Sequence, residues 1–137
     1  KLGLVGSEMC IRDRKLNFGH TTGHAIESYL LDSNAPTLHG FAIAKGMILE
    51  SFIAKKENQL SENHFHEIKT VLYDKFKSYL NFKIDSKAII KLMQSDKKNT
   101  KSTINFSLPT KIGEVTINHE IELKKVESYL LEFLQND

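Results

Sequence analysis

Apolar residues recur along most of this chain at intervals of three and four, the repeat of an α-helix with one buried face. Ala25, Ile26, Tyr29 and Leu30 give a first helix over Asn17–Leu31, and Asp32-Ser33-Asn34-Ala35-Pro36-Thr37 is rich in turn residues. Helix rarely survives the residue before a proline, so the chain breaks there. From about His39 the run Ala42, Ile43, Gly46, Met47, Leu49, Glu50, Phe52 and Ile53 is apolar around much of its circumference, which predicts a buried central helix surfacing at Lys55, Lys56 and Glu57. Ser61 is a suitable N-cap for a third helix through about Tyr79, with Phe65, Ile68, Leu72, Phe76 and Leu80 on one face. Asp85 or Ser86 caps a fourth, carrying Ala88, Ile89, Leu92 and Met93 and ending near Ser95-Asp96-Lys97-Lys98-Asn99.

The period then changes. Thr103–Leu108 alternates with period two, and Glu114–Ile117 does so again after a turn region containing Pro109 and Gly113, which predicts a small β-hairpin or extended pair near 103–117. Asn118 can cap a last helix with Ile121, Val126, Tyr129, Leu130 and Phe133 as its buried stripe. The fold class expected is mainly α, with one small β element.

Three histidines fall where this layout brings helix ends together. His20 and His24 are four residues apart and share one face of the first helix, while His39 opens the second. Three imidazoles from two helices suit a divalent metal, and the His20/His24 pair alone suits a metal or an anionic substrate. A lone histidine more often caps a helix or satisfies a core polar group. Gly19 and Gly23 beside the pair weigh against that, since glycine is costly in a helix and marks close backbone approach. His64 and His66 lie two apart on different sides of the third helix and read as surface residues.

Composition narrows the field of partners. A net charge of +2 is too small for a nucleic-acid binder, and the lysines are scattered among glutamates as on solvated helix faces. No apolar run approaches the roughly 20 residues that span a bilayer. No signal segment argues for export, and a cytoplasmic location is expected.

The first residues read differently from the rest. Leu4-Val5-Gly6-Ser7-Glu8-Met9-Cys10-Ile11-Arg12-Asp13 looks like the translation of a sequencing adapter, so residues 1–14 are set apart as non-native and residues 15–137 are taken as one helical domain. Cys10, the sole cysteine, goes with that segment and leaves the redox compartment open. On this reading a larger N-terminal part precedes the domain in the intact protein.

Three separated motifs coincide once the chain is laid out. Leu16-Asn17-Phe18-Gly19-His20 through Ala25-Ile26-Glu27, Leu38-His39-Gly40 with Ala42-Ile43-Ala44 and Gly46-Met47, and Asp96-Lys97-Lys98-Asn99 before Ile104-Asn105-Phe106 and Ile112-Gly113 resemble 3-dehydroquinate synthase. Their order fits its helical C-terminal domain. The resemblance implies a phosphate-eliminating lyase of the shikimate pathway that converts a seven-carbon keto-sugar acid phosphate (DAHP) to 3-dehydroquinate. It also implies catalytic NAD, a divalent metal (zinc or cobalt) and a homodimer at full length. On the same resemblance His20 and His39 match metal ligands, and His24 matches a substrate-contacting histidine in proton traffic. Asn17 matches a substrate-contacting amide, and Lys97 or Lys98 a lysine that binds the anionic substrate.

Three positions depart from the family pattern. Phe41 stands where a glutamate usually follows His-Gly, Asp13 stands at the place of an arginine, and Thr100-Lys101-Ser102 lacks the usual glycine. The dinucleotide-binding domain and an acidic third metal ligand are expected outside these residues, so the chain alone is expected to be inactive. Two alternatives are a related sugar-phosphate cyclase making a different carbocycle, and a non-catalytic helical module that binds metal or a partner.

Overall fold

The computed structural model describes residues 15–81, 83–95 and 102–136. Five α-helices and one antiparallel hairpin account for most of them. These are α1 (His20–Asp32), α2 (His39–Lys56), α3 (Glu62–Phe76), α4 (Ser86–Gln94), β1 (Thr103–Lys111), β2 (Glu114–Glu122) and α5 (Leu123–Asn136). The mainly helical class with a single small β element is therefore the observed one. No helix among the described residues is long and apolar enough to cross a membrane.

Helix α2 is the axis of the molecule. Ala42, Ala44, Ile48, Leu49, Phe52, Ile53 and Ala54 are all buried along it. It packs against α1, α3, α5 and β1, so no side of its middle faces water for long. Lys45 is buried too; its Nζ donates to the Tyr73 hydroxyl at 3.0 Å and lies over the Tyr73 and Phe133 rings. The rest of the core comes from Ile26, Leu30, Leu80, Ile89, Met93, Ile104, Phe106, Leu108, Val126 and Leu130.

Helix starts follow local chemistry where a cap is present. The Ser61 hydroxyl accepts the His64 N–H at 3.1 Å, and the Asp85 carboxylate accepts the Lys87 N–H at 3.4 Å. The third helix ends earlier than its apolar stripe, because α3 gives way at Phe76 to a 3-10 turn over Lys77–Tyr79. Helix α1 likewise begins at His20, after a turn through Asn17 and Gly19, rather than at Asn17.

The hairpin departs further from expectation. Strand β2 runs five residues beyond Ile117, so Asn118 is not a helix cap and Ile121 belongs to a strand, paired with Ile104. Between the pairs Phe106↔His119 and Leu108↔Thr116, β2 carries one residue more than β1. Asn118 sits in this bulge at φ 57°, a conformation asparagine tolerates better than most residues. Pro109 likewise lies inside β1 and not in the turn, which is acceptable because a two-stranded sheet has only edge strands. The turn itself is Ile112-Gly113, with Gly113 at φ 84°. The last helix buries Val126, Leu130 and Phe133.

Candidate metal centre

The α1/α2 seam is where two backbones come closest. A Cβ on Gly46 would run into the carbonyl oxygen of Gly19 and come within 2.6 Å of the Gly23 nitrogen. A Cβ on Gly23 would in turn meet the Ile43 side chain at 2.7 Å. Gly19 also has φ 86°, in the left-handed region that side chains rarely adopt, and this lets the chain swing into α1.

No side chain of α1 caps its own N-terminus; the cap comes from α2. The Glu50 carboxylate, fully buried, accepts the Gly19 N–H on one oxygen and the Thr22 N–H on the other, each at 2.8 Å. A buried acid at a helix N-terminus is held by charge-assisted hydrogen bonds and by the helix dipole. Glycine contact and carboxylate clamp together fix where the first turn of α1 stands, and that turn carries His20.

His20, His24 and His39 converge at the open end of this seam. One ligand nitrogen from each lies within 4.8 Å of the other two, and the ring centroids are 5.2 to 5.9 Å apart. His20 is partly buried, whereas His24 and His39 are exposed. Zinc–nitrogen bonds of about 2.0–2.1 Å place tetrahedral ligand atoms about 3.4 Å apart, so rotamer adjustment of exposed rings is enough to close the set. Nδ1 of His20 faces the Phe18 carbonyl oxygen at 3.3 Å, and Nδ1 of His39 faces the Glu27 carboxylate at 3.1 Å. Both partners only accept hydrogen bonds, so both rings carry the Nδ1 proton and keep the Nε2 lone pair for a metal. The donor set therefore fits a divalent ion of the zinc type.

The other residues marked in the sequence fall out differently. Asn17 sits in the turn before α1, its carbonyl accepting the His20 N–H at 2.8 Å. Lys97 and Lys98 lie outside the described residues, as do Asp96, Asn99 and the segment 1–14. His64 and His66 stay apart from the cluster, His66 exposed and His64 half-buried. Phe41 has a packing role: its ring stacks on Tyr79 at 4.4 Å between centroids, with planes 2° apart, and leans on Phe76 at 5.9 Å. The position is thus occupied by an aromatic cluster tying α2 to the end of α3. An apolar cleft of about 600 Å³ between α3 and the hairpin tip includes none of the three imidazoles.

Two acidic residues make contacts at the seam to which the sequence motifs assign no role. Glu27 lies one turn beyond His24 on the same face of α1, a signal that spacing alone carries. Glu50 is an acid in the middle of an otherwise apolar helical stretch, Met47-Ile48-Leu49-Glu50-Ser51-Phe52, where a charge demands a partner.

Known proteins resemble this chain in sequence and in fold. The chain is 40% identical over 116 residues to a 3-dehydroquinate synthase of Thermodesulfovibrio yellowstonii, covering 81% of this chain and 32% of that protein. It is 29% identical over 136 residues to a 3-dehydroquinate synthase of Parabacteroides distasonis, covering 90% of this chain and 38% of that protein. The chain thus spans about a third of the length of these curated relatives. A solved 2-deoxy-scyllo-inosose synthase, complexed with carbaglucose-6-phosphate, NAD+ and Co2+, superposes with a TM-score of 0.69 at 26% identity, over 85% of this chain and 34% of that one. A 2-epi-5-epi-valiolone synthase from Streptomyces hygroscopicus with NAD+ and Zn2+ bound shares the fold, with a TM-score of 0.69 at 19% identity over 88% of this chain and 33% of that one. The family model described as 3-dehydroquinate synthase C-terminal matches residues 7–99, more than half of the chain, and the protein belongs to that family.

Proposed function

We propose that this chain supplies the metal- and substrate-binding part of a 3-dehydroquinate synthase, which converts DAHP to 3-dehydroquinate and phosphate in the shikimate pathway. The observation that carries the reading is the convergence of His20, His24 and His39, with Nδ1 of two rings already engaged. His20 and His39 would hold the divalent metal, zinc or cobalt, which supplies Lewis-acid polarisation of substrate oxygens. His24 stands beside both at 5.2 and 5.6 Å between centroids, exposed to an incoming substrate and suited to proton transfer near neutrality. Asn17 and one of Lys97 and Lys98 would bind the anionic substrate. NAD supplies reversible oxidation of a substrate alcohol, and its binding is assigned to sequence beyond these residues. The intact enzyme is read as a cytoplasmic homodimer.

Cobalt titration of the chain, followed by calorimetry, tests the site. His20→Ala and His39→Ala are expected to weaken binding at least tenfold, and His24→Ala to leave it within about threefold. Equal loss in all three variants would make His24 a third ligand and overturn its assignment to substrate. A coupled assay for dehydroquinate on the purified chain is expected to detect none; product would overturn the proposal that the chain needs further sequence for activity.

The likeness to 2-deoxy-scyllo-inosose synthase favours a second reading, a cyclase acting on a different sugar phosphate. The run Asn17–Glu27 and the 40% identical relative favour the synthase. A substrate panel on the intact enzyme separates them: turnover of DAHP in preference to hexose phosphates supports the first reading, and the reverse preference the second.

A further inference from the structure

We infer that Glu27 is a positioning residue for the metal centre, orienting His39 through its Nδ1–H. The inference rests on the metal reading given above and assigns a role to a side chain outside the ligand set.

Glu27 reaches the centre by helical spacing. His20, His24 and Glu27 occupy successive turns on one face of α1, and His39 opens α2 opposite them. The Glu27 carboxylate lies 3.1 Å from His39 Nδ1 and is not among the groups whose ligand atoms converge. It therefore stands behind the ring rather than in the site. An acceptor behind an imidazole sets the tautomer, stops rotation about the Cβ–Cγ bond and raises the basicity of the nitrogen in front. His20 receives the same service from a backbone carbonyl, that of Phe18. His39 opens α2, and the acceptor behind its ring comes from the neighbouring helix.

Energetics separate this role from a structural one. The side chains of Glu27 and His39 are 36% and 54% exposed, and ion pairs this open contribute little to folding. Loss of a carboxylate behind a metal-bound histidine, by contrast, typically weakens metal binding about 10- to 100-fold. Removing Glu27 is thus expected to change affinity without changing stability.

The test is a Co2+ titration of the 137-residue chain, read by visible absorbance and calorimetry, with His39→Ala, Glu27→Ala and Glu27→Gln compared. Glu27→Ala is expected to bind cobalt about 10- to 100-fold more weakly. Glu27→Gln, which keeps an acceptor oxygen, is expected to recover much of the loss. Melting temperatures of the metal-free variants are expected to match the parent. Nitrogen-15 spectra of the metal-free chain are expected to show the Nδ1–H form of His39 in the parent and a mixture in Glu27→Ala.

Each outcome decides. If His39→Ala loses cobalt while Glu27→Ala binds it like the parent, Glu27 has no positioning role and the metal reading stands. An unchanged tautomer in Glu27→Ala overturns the role whether or not cobalt binds. A fall in melting temperature parallel to the loss of affinity shows a structural part instead. Cobalt binding indifferent to His39 removes the metal reading and this inference with it; where the chain, lacking the expected acidic third ligand, holds no cobalt, the tautomer of His39 in Glu27→Ala decides.

Discussion

Helix α2 is packed in two different ways on its two sides. Toward α1 the contact is glycine against glycine, backbone almost on backbone, with one buried carboxylate clamping the facing helix. Toward α3 and α5 it is aromatic rings in edge contact, Phe52 with Phe65 at 5.8 Å and with Phe133 at 5.2 Å. A ring can tilt or slide into a neighbouring gap. A carbonyl oxygen cannot move without moving its helix, so the first seam holds position and the second holds mass. The histidines belong to the first, where ligand atoms need placement to a fraction of an ångström.

The largest effect should come from breaking the clamp. Glu50→Ala leaves the Gly19 and Thr22 N–H groups without their carboxylate in a buried place and opens a void in the core. A loss of about 4 kcal/mol is expected, measured by urea unfolding. Gly46→Ala comes next at about 3 kcal/mol, because the added methyl meets backbone atoms of Gly19 and Gly23 on a fixed helix. Gly40, with open space where a Cβ would stand, is the control: Gly40→Ala is expected to be neutral or to stabilise by up to about 1 kcal/mol. The two disruptive changes should also weaken cobalt binding, and a Gly46→Ala variant with parental affinity would mean the seam does not set the ligand geometry.

Across the other seam a comparable volume change should matter less. Phe133→Leu is expected to cost about 1.5 kcal/mol and to leave metal affinity unchanged. Equal loss of metal binding there would erase the distinction between the two sides.

That distinction explains what could be read from the sequence and what could not. The mainly helical class and the presence of helices α2 to α5 were legible, α2 from its nearly continuous apolar run and α3 to α5 from burial every three to four residues, though the start of α5 was not; the caps at Ser61 and Asp85 were legible because they act within their own turn. The start of α1 was not, because its cap is Glu50, 28 residues beyond Thr22. The length of β2 is hidden for another reason: Asn118 reads as a helix cap and His119 interrupts the apolar positions, whereas in the structure Asn118 sits in a bulge that puts Ile121 on the face opposite Val115 and Ile117 although its spacing from them is even. His20, His24 and His39 were legible as a set, since spacing and a predicted helix junction sufficed to bring them together. Glu27 was not, because an acceptor behind a ligand shows only when two helices are in place.

The smallest expected effect lies farthest from the histidines, where the end of α2 meets β2 and α5. The Glu57 carboxylate accepts from the Tyr129 hydroxyl at 2.6 Å and lies 3.3 Å from His119 Nε2. Burial pushes the Glu57 carboxyl up, but hydrogen bonds from Tyr129 and His119, aided by the nearby Lys125 charge, outweigh it and hold it below its ordinary 4.5. Tyr129 moves the other way, from 10.0 to about 12, through burial, the hydrogen bond to Glu57 and the negative charges of Glu57 and Glu132. A depressed carboxyl stabilises the fold above 4.5 and ceases to do so as pH falls through its lower folded value. A raised phenol stabilises below 10.0 and ceases to do so as pH climbs toward 12. Tyr129→Phe is therefore expected to cost about 1 kcal/mol at neutral pH, to soften the acid limb and to flatten the loss above pH 10.0, with cobalt affinity untouched. Urea midpoints followed from pH 3 to pH 11 measure all three. A variant that lost metal binding along with this hydrogen bond would show that the far end of α2 is coupled to its histidine end, and that the helix transmits strain along its whole length.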